Sequence, residues 1–407
     1  MSPDPLPSLR PADGARGPLP RIGAFLLRRA LAQLPCGEIT VTLPDGASVR
    51  HAGSEPGPTA RLSIHRWRTV SKLLTGGDIG LAESFAAGDW TTPDLTAVLE
   101  FGAVNAERVE RLVAGSAPVR LWNLARHGVR RNSRSGSRRN ITFHYDLGNA
   151  FYELWLDRSM TYSSAIYPTP DAALEVAQQT KIARIADLLE VKEGQSVLEI
   201  GSGWGALALH LAGRGAHVTG VTLSQEQLAG AKALPAPAGA AGSADFQLKD
   251  YRDVDGTFDR IVSIEMIEAV GEKYWPRYFE ALRERLKPGG LAVLQVITIA
   301  EERFESYKRS ADFIQRYIFP GGMLLTPSII AEQGQRAGLS LASSETFGDS
   351  YARTLAEWRR RFLAQADTLE KMGFDLTFRR IWEYYLSYCE AGFRSGAIDV
   401  GLYKLRG

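Results

Sequence analysis

From Gln195 onward, short apolar runs alternate with amphipathic stretches: Ser196–Gly201, Trp204–Ala212, His217–Thr222, Ser224–Ala231, Phe246–Leu248, Phe258–Ile264, Trp275–Leu286 and Leu291–Ile297. Strand-like runs followed by helical periodicity predict an α/β chain, a mostly parallel sheet with helices on both faces and ligands beyond the carboxyl ends of its strands. Ahead of that region the pattern differs. Arg21 to Leu34 carries Ile22, Phe25, Leu26, Ala30 and Leu34 at helical spacing, with Arg28 and Arg29 among the rest, which predicts an amphipathic helix. Glu38 to His51 predicts a hairpin turning on Pro44-Asp45-Gly46, and from Asp78 to Phe101 apolar runs are broken by Gly80, Gly88 and Pro93. The expected organisation is an unstructured start over 1–20, a small α+β domain over 21–120, a linker over 121–140 and a large domain over 141–407. The Ala/Gly/Pro-rich segment Ala229 to Ala244 reads as a loop trailing a helix.

A chain of 407 residues is longer than one core sustains, which agrees with two domains. Apolar residues at 44% and charged residues at 23% are those of an ordinary globular protein. Two cysteines, Cys36 and Cys389, exclude a disulfide framework and a Cys-rich zinc site. The first residues lack a signal-peptide pattern, and no apolar run reaches the ~20 residues that span a bilayer. The expectation is a cytoplasmic protein that meets a membrane only at its surface. The net charge of +2 says little, but Arg126, His127, Arg130, Arg131, Arg134, Arg138 and Arg139 crowd one stretch. Such a cluster suits an anionic lipid surface and equally a solvated linker.

Val197 to Gly205 reads as a buried strand, a turn with Gly201, Gly203 and Gly205, and a helix start, the arrangement that lets backbone approach a ligand. A nicotinamide site would show G-x-G-x-x-G and an acid about 20 residues on. Here the spacing is G-x-G-x-G and the second strand ends in Thr222-Leu223-Ser224, which disfavours a dinucleotide. The turn instead resembles that of class I methyltransferases, a Rossmann-like fold. That resemblance implies S-adenosylmethionine, with an acidic residue after the third strand, Asp250, near the adenine.

Further motifs make the resemblance specific. His144-Tyr145-Asp146-Leu147-Gly148-Asn149, Met160-Thr161-Tyr162-Ser163, Gly220 to Ser224, Asp250 to Asp253, Met266-Ile267-Glu268, Tyr317 to Gly322, Trp382 to Leu386 and Cys389 to Arg394 occur in the order of the cyclopropane fatty acid synthase family. Gly80, Glu83 and Gly88-Asp89-Trp90 are similar to the accessory domain of its phospholipid-acting members. By position the family's cofactor residues become Tyr162, Ser163, Gly201, Gly203, Thr222, Leu223, Gln227 and Tyr251, beside Asp250. The resemblance further implies an unsaturated membrane phospholipid as substrate, contact with the anionic inner face of the membrane, a homodimer, and no nucleic-acid partner.

An isolated alkene is a poor nucleophile, so the methyl donor and double bond must be aligned and water kept from the cation that forms. Tyr162, Tyr317, Phe319 and the pair Tyr384/Tyr385 are aromatic candidates for stabilising it, though each also suits core packing. The resemblance implies that a bound bicarbonate then takes the proton, held by a Cys, a Glu, a His, an Ile backbone group and a Tyr. Those positions are Ser164, Glu268, Gln295, Ile297 and Tyr351, so the Cys and His are replaced. Both replacements can donate hydrogen bonds. The expected product is a cyclopropane fatty acyl chain, with C-methylation to a methyl-branched or methylene chain as the alternative. Glu265, one helical turn before Glu268, reads as a surface or helix-start acid, and His144 as a loop residue that is structural or shapes the cofactor pocket.

Overall fold

The computed structural model describes residues 18–113, 147–235, 239, 241–309 and 311–407. The basic stretch Arg126 to Arg139, the residues His144 to Asp146 and nearly all of the first 20 positions lie outside them. The described residues fall in two units, one within Met1–Leu121 and Leu376–Tyr384, the other within Trp122–Asp375 and Tyr385–Gly407.

The smaller unit is built on strands β1 (Cys36–Thr42), β2 (Ser48–Ala52), β3 (Glu55–Ile64) and β4 (Trp90–Thr91), in the order β2-β1-β3-β4. β1 and β2 form the expected hairpin, in whose turn the Asp45 carboxylate accepts the Ala47 N–H at 3.0 Å. The accessory-domain residues hold this unit together. A Cβ on Gly80 would lie 2.0 Å from the Lys72 carbonyl oxygen, so only glycine lets the helix Arg68–Ala86 fold back on itself there. Buried Asp89 accepts two hydrogen bonds from Arg68, at 2.5 and 2.6 Å, and Trp90 donates to Ser84 Oγ at 3.0 Å. The first helix, Pro18–Leu31, buries Leu27 and Leu31, with Leu34 just beyond it, while Phe25 is 62% exposed. Of the set read from sequence, Leu34 is buried, Ala30 half-buried and Phe25 exposed.

The larger unit carries β5 (Ser196–Ile200), β6 (His217–Thr222), β7 (Ser243–Leu248), β8 (Phe258–Ile264), β9 (Leu286–Ile299), β10 (Ser340–Thr346) and β11 (Ile398–Arg406). Their order is β10-β11-β9-β8-β5-β6-β7, with β5 to β9 parallel and the last two antiparallel. Successive side chains enter opposite cores. Val197 packs with the helices Leu174–Leu189 and Ala206–Gly213, and Leu198 with the helix Trp275–Arg285. β6 and β8 flank β5 on either side, so the carboxyl ends of the central strands frame one crevice, as doubly wound sheets require. β10 escaped the sequence pattern because Ser340–Thr346 is a largely exposed edge strand without an apolar face.

The helix Leu376–Arg394 contributes to both units. Its segment Leu376–Tyr384 groups with the smaller one, where Tyr384 lies 5.9 Å from Phe85, ring to ring. The boundary read from sequence had placed this segment in the large domain. The pair Tyr384/Tyr385 is thereby divided, and only Tyr385 joins the aromatic cluster described below.

Candidate active site

The glycine turn leaves β5 with Gly201, Gly203 and Gly205 at φ 83°, 52° and 91°. Gly201 and Ser202 donate their N–H groups to the Val221 carbonyl at 2.9 and 3.0 Å, which ties the turn to β6. The three glycines serve different needs. A Cβ on Gly203 meets nothing within 4 Å, so its backbone faces open space, whereas one on Gly205 would lie 2.7 Å from the Phe246 ring. Beside the turn, Glu199 Oε2 and Ser202 Oγ are buried without a hydrogen-bond partner among the described residues. Burial pushes Glu199 up to about 8, against the pull of Lys181 and the Ala208 N–H. Orphaned polar atoms next to open backbone suit a ligand that brings its own charged hydrogen-bonding groups, and the zwitterionic methionine end of S-adenosylmethionine fits that demand.

At the end of β6, Thr222 Oγ1 donates to Gln227 Oε1 at 2.8 Å and accepts the Ser224 N–H at 3.1 Å, while Ser224 Oγ caps the following helix through the Gln227 N–H. This fixes the Gln227 amide at the carboxyl end of β6, at the start of the following helix. The Asp250 carboxylate is clamped by the Arg252 guanidinium at 2.8 and 2.6 Å and caps the turn that carries Tyr251. Tyr251, pushed up to about 12 by burial, stands edge-on to Tyr278 at 5.5 Å.

Tyr162 and Ser163 follow the short helix Asn149–Glu153. The Tyr162 and Tyr385 hydroxyls share a hydrogen bond of 2.8 Å, Tyr162 lies 5.4 Å from both the Tyr152 and Trp358 rings, and Phe319 meets Tyr385 edge-on at 6.3 Å. Tyr317 instead meets Phe313 in a tilted pair at 5.6 Å, under Arg316. Ser163 Oγ accepts from Lys181 Nζ at 2.7 Å. Lys181 is 2% exposed and burial lowers it to about 8, with the charge of Glu265 the largest opposing influence. Sequence reading passed over this lysine. Its signal is that Gln178 and Lys181 sit one turn apart on the buried face of Leu174–Leu189, among Ala177, Ile182 and Ile185.

The carboxylate positions converge at the ends of β8 and β9, whose register sets Ile264 against Gln295. Glu265, the next residue, is no surface acid. Its Oε1 accepts the Ser164 backbone N–H at 2.8 Å and Gln295 Nε2 at 2.7 Å, and its Oε2 accepts the Tyr351 hydroxyl at 2.7 Å. Its φ of 48° is a left-handed conformation that L residues adopt at a cost. Glu268, in the turn Ile267–Ala269, accepts the Ile297 N–H through Oε1 at 2.6 Å, while its Oε2 is buried without a partner among the described residues. Burial and then Glu265 push Glu268 up to about 8, so it is mainly protonated at neutral pH. Ser164 contributes through its backbone, not its side chain, since its hydroxyl donates to the Ala165 carbonyl at 2.9 Å.

A doubly wound sheet with a glycine turn after its first parallel strand, a Thr/Gln pair after its second and enclosed acids after its third and fourth neighbours defines an S-adenosylmethionine-dependent methyltransferase. Residues 132–402 match the family described as mycolic acid cyclopropane synthetase. The chain is 42% identical to a tuberculostearic acid methyltransferase of Mycobacterium tuberculosis over 400 residues, 95% of this chain and 92% of the relative. It is 34% identical to a cyclopropane-fatty-acyl-phospholipid synthase of Escherichia coli over 365 residues, 88% and 90% of the two chains. The mycolic acid cyclopropane synthase CmaA1, solved with SAH and CTAB, superposes with a TM-score of 0.61 at 29% identity, covering 66% of this chain and 98% of that one. The chain therefore belongs to the mycolic acid cyclopropane synthetase family, whose members modify lipids.

Proposed function

We propose that this enzyme transfers the methyl group of S-adenosylmethionine to the double bond of an unsaturated acyl chain in a membrane phospholipid, and that the product is a ring-free, methylated chain. The 42% identity to a tuberculostearic acid methyltransferase across 95% of the chain carries this reading. The cofactor supplies an electrophilic methyl on a sulfonium. Gly203, Thr222 and Gln227 hold and orient it; Tyr162, Tyr385 and Phe319 line the aromatic side, where π faces stabilise a cation and exclude water. The acids after β8 take up the proton that the cation must shed. The smaller unit and the basic stretch serve contact with the inner face of the membrane; no helix among the described residues is long and apolar enough to cross one.

A cyclopropane product is the second reading. It is favoured by the 34% identity to a cyclopropane-fatty-acyl-phospholipid synthase and by the presence of Glu268, Ile297 and Tyr351 in the sequence. Expression in cells with unsaturated lipids, followed by mass analysis of their fatty acids, is expected to show chains one CH₂ heavier. Mild hydrogenation should then add two hydrogens to those chains, whereas a ring would leave them unchanged. An unaltered fatty-acid profile would defeat both readings.

A further inference from the structure

The groups expected around a bound bicarbonate are spent on the chain's own carboxylates. Ser164, Gln295 and Tyr351 all donate to Glu265, and the Ile297 N–H donates to Glu268. A hydroxyl or a backbone N–H has one proton to give, so a free anion placed here would compete for donors already engaged. Bicarbonate does not fit this site. We propose that the Glu265 carboxylate is the covalently attached replacement for that anion and is the base that accepts the proton after methyl transfer, so that the enzyme works without bicarbonate. The inference rests on the methyl-transfer reading and holds for either product.

Three observations support it. Both oxygens of Glu265 accept hydrogen bonds, the pattern of an ionised carboxylate, while Glu268 has one donor and one unpartnered oxygen. The backbone is committed to the arrangement: Glu265 takes a left-handed conformation, and its N–H donates to the Gln295 carbonyl at 2.8 Å, which fixes the carboxylate beside the Gln295 amide. Left-handed backbone at a non-glycine residue persists where the surroundings over-determine it, as at active sites. The replacement of histidine by Gln295 is also accounted for. An anion that cannot dissociate needs no cationic ligand to retain it, and buried Lys181 supplies the nearby positive charge. Burial raises Glu265, but the Tyr351 hydroxyl, the Ser164 N–H, Lys181 and Gln295 all oppose it, whereas Glu268 is held at about 8. The environments thus separate the two acids into a carboxylate and a carboxyl.

The step balances without an oxidant. One alkene carbon bonds to the methyl carbon as the carbon–sulfur bond breaks and sulfur keeps its electron pair. The neighbouring carbon becomes the cation. A C–H electron pair, from the delivered methyl or from the chain, closes the ring or forms the new double bond, and its proton passes to Glu265, which becomes neutral.

The test is turnover of purified full-length enzyme on vesicles of unsaturated phospholipid, in buffer stripped of CO₂ and in buffer with added bicarbonate. Wild type is expected to turn over equally in both. Glu265→Gln keeps the shape and should lose at least about 100-fold in rate, the usual contribution of a general base, while binding S-adenosylmethionine normally. Glu265→Gly suits the left-handed backbone and opens the cage, so it should fall as far and regain about tenfold when bicarbonate is added; labelled bicarbonate should bind it but not wild type. Wild-type activity that disappears without bicarbonate, or Glu265→Gln at the parental rate, would overturn the proposal. A wild type that methylates no lipid in either buffer would sink the functional reading instead.

Discussion

Gly205→Val should lower the melting temperature of the larger unit by roughly 10 °C and abolish binding of S-adenosylmethionine at the temperature where wild type binds it. Two costs add. Gly205 sits at φ 91°, and placing a β-branched residue in left-handed backbone costs about 1–2 kcal/mol. The new Cβ would also lie 2.7 Å from the Phe246 ring and 3.2 Å from Ala231 Cβ. Phe246 is 5% exposed in a closed core and has nowhere to move, so overpacking adds about 1–3 kcal/mol. At about 2–4 °C per kcal/mol for a unit of this size, the sum gives the stated fall. Gly203→Ala is the control. Its Cβ enters open space, so stability should drop only by the backbone term while cofactor affinity suffers. Thermal unfolding and cofactor titration of the two variants side by side decide the matter; equal melting temperatures would show that Gly205 is not serving the core.

The same turn shows how far the sequence could be read. Its glycines marked a ligand site because strand, G-x-G-x-G and helix follow one another in a local pattern. Their division of labour depends on Phe246, which arrives from β7 and cannot be inferred from the turn itself. Periodicity located the inner parallel strands β5, β6, β8 and β9 for a similar reason: a strand buried on both faces announces itself by continuous apolar residues, and an exposed edge strand such as β10 does not. The resemblance gave Ile297 and Tyr351 to a bicarbonate, whereas in the fold the Ile297 N–H donates to Glu268 and the Tyr351 hydroxyl to Glu265. Glu265 was misread because an acid one turn before another acid looks like a solvated helix start, and only the Ile264–Gln295 register shows that the chain is still at the sheet there. Ser164 acts through its main chain, a contribution that no side-chain inventory reveals. Arg252, two residues on, reaches back to clamp Asp250, a contact that the strand pattern does not announce.

Glu268→Gln should flatten the fall of stability between pH 5 and pH 8. Glu268 is raised from 4.5 to about 8 by burial and then by the charge of Glu265, so within that window the folded protein holds a proton that the unfolded chain has released. Its contribution is fully present below about 4.5 and is lost as pH rises through 8, with a limiting slope of about 1.4 kcal/mol per pH unit. Glu199, raised to about 8, has the same sign; Lys181, lowered from 10.5 to about 8, has the opposite one, and its share of stability recovers above pH 8. Wild type should therefore pass through a minimum near pH 8. The groups that face Glu268 are Glu265, the Ile297 N–H, and the Tyr278 and Tyr307 hydroxyls, both raised by burial and neutral throughout this range. Glu265 is the one other acid among them; burial raises it, and the Tyr351 hydroxyl, the Ser164 N–H and the Gln295 amide, which donate to it, favour its charged form. An amide at position 268 still accepts the Ile297 N–H and carries no proton to lose, so the difference between the two stability curves isolates this one group. Urea unfolding at half-unit pH steps measures it. Parallel curves for Glu268→Gln and wild type would mean that Glu268 is ionised in the fold, and the assignment of carboxylate and carboxyl to Glu265 and Glu268 would have to be reversed.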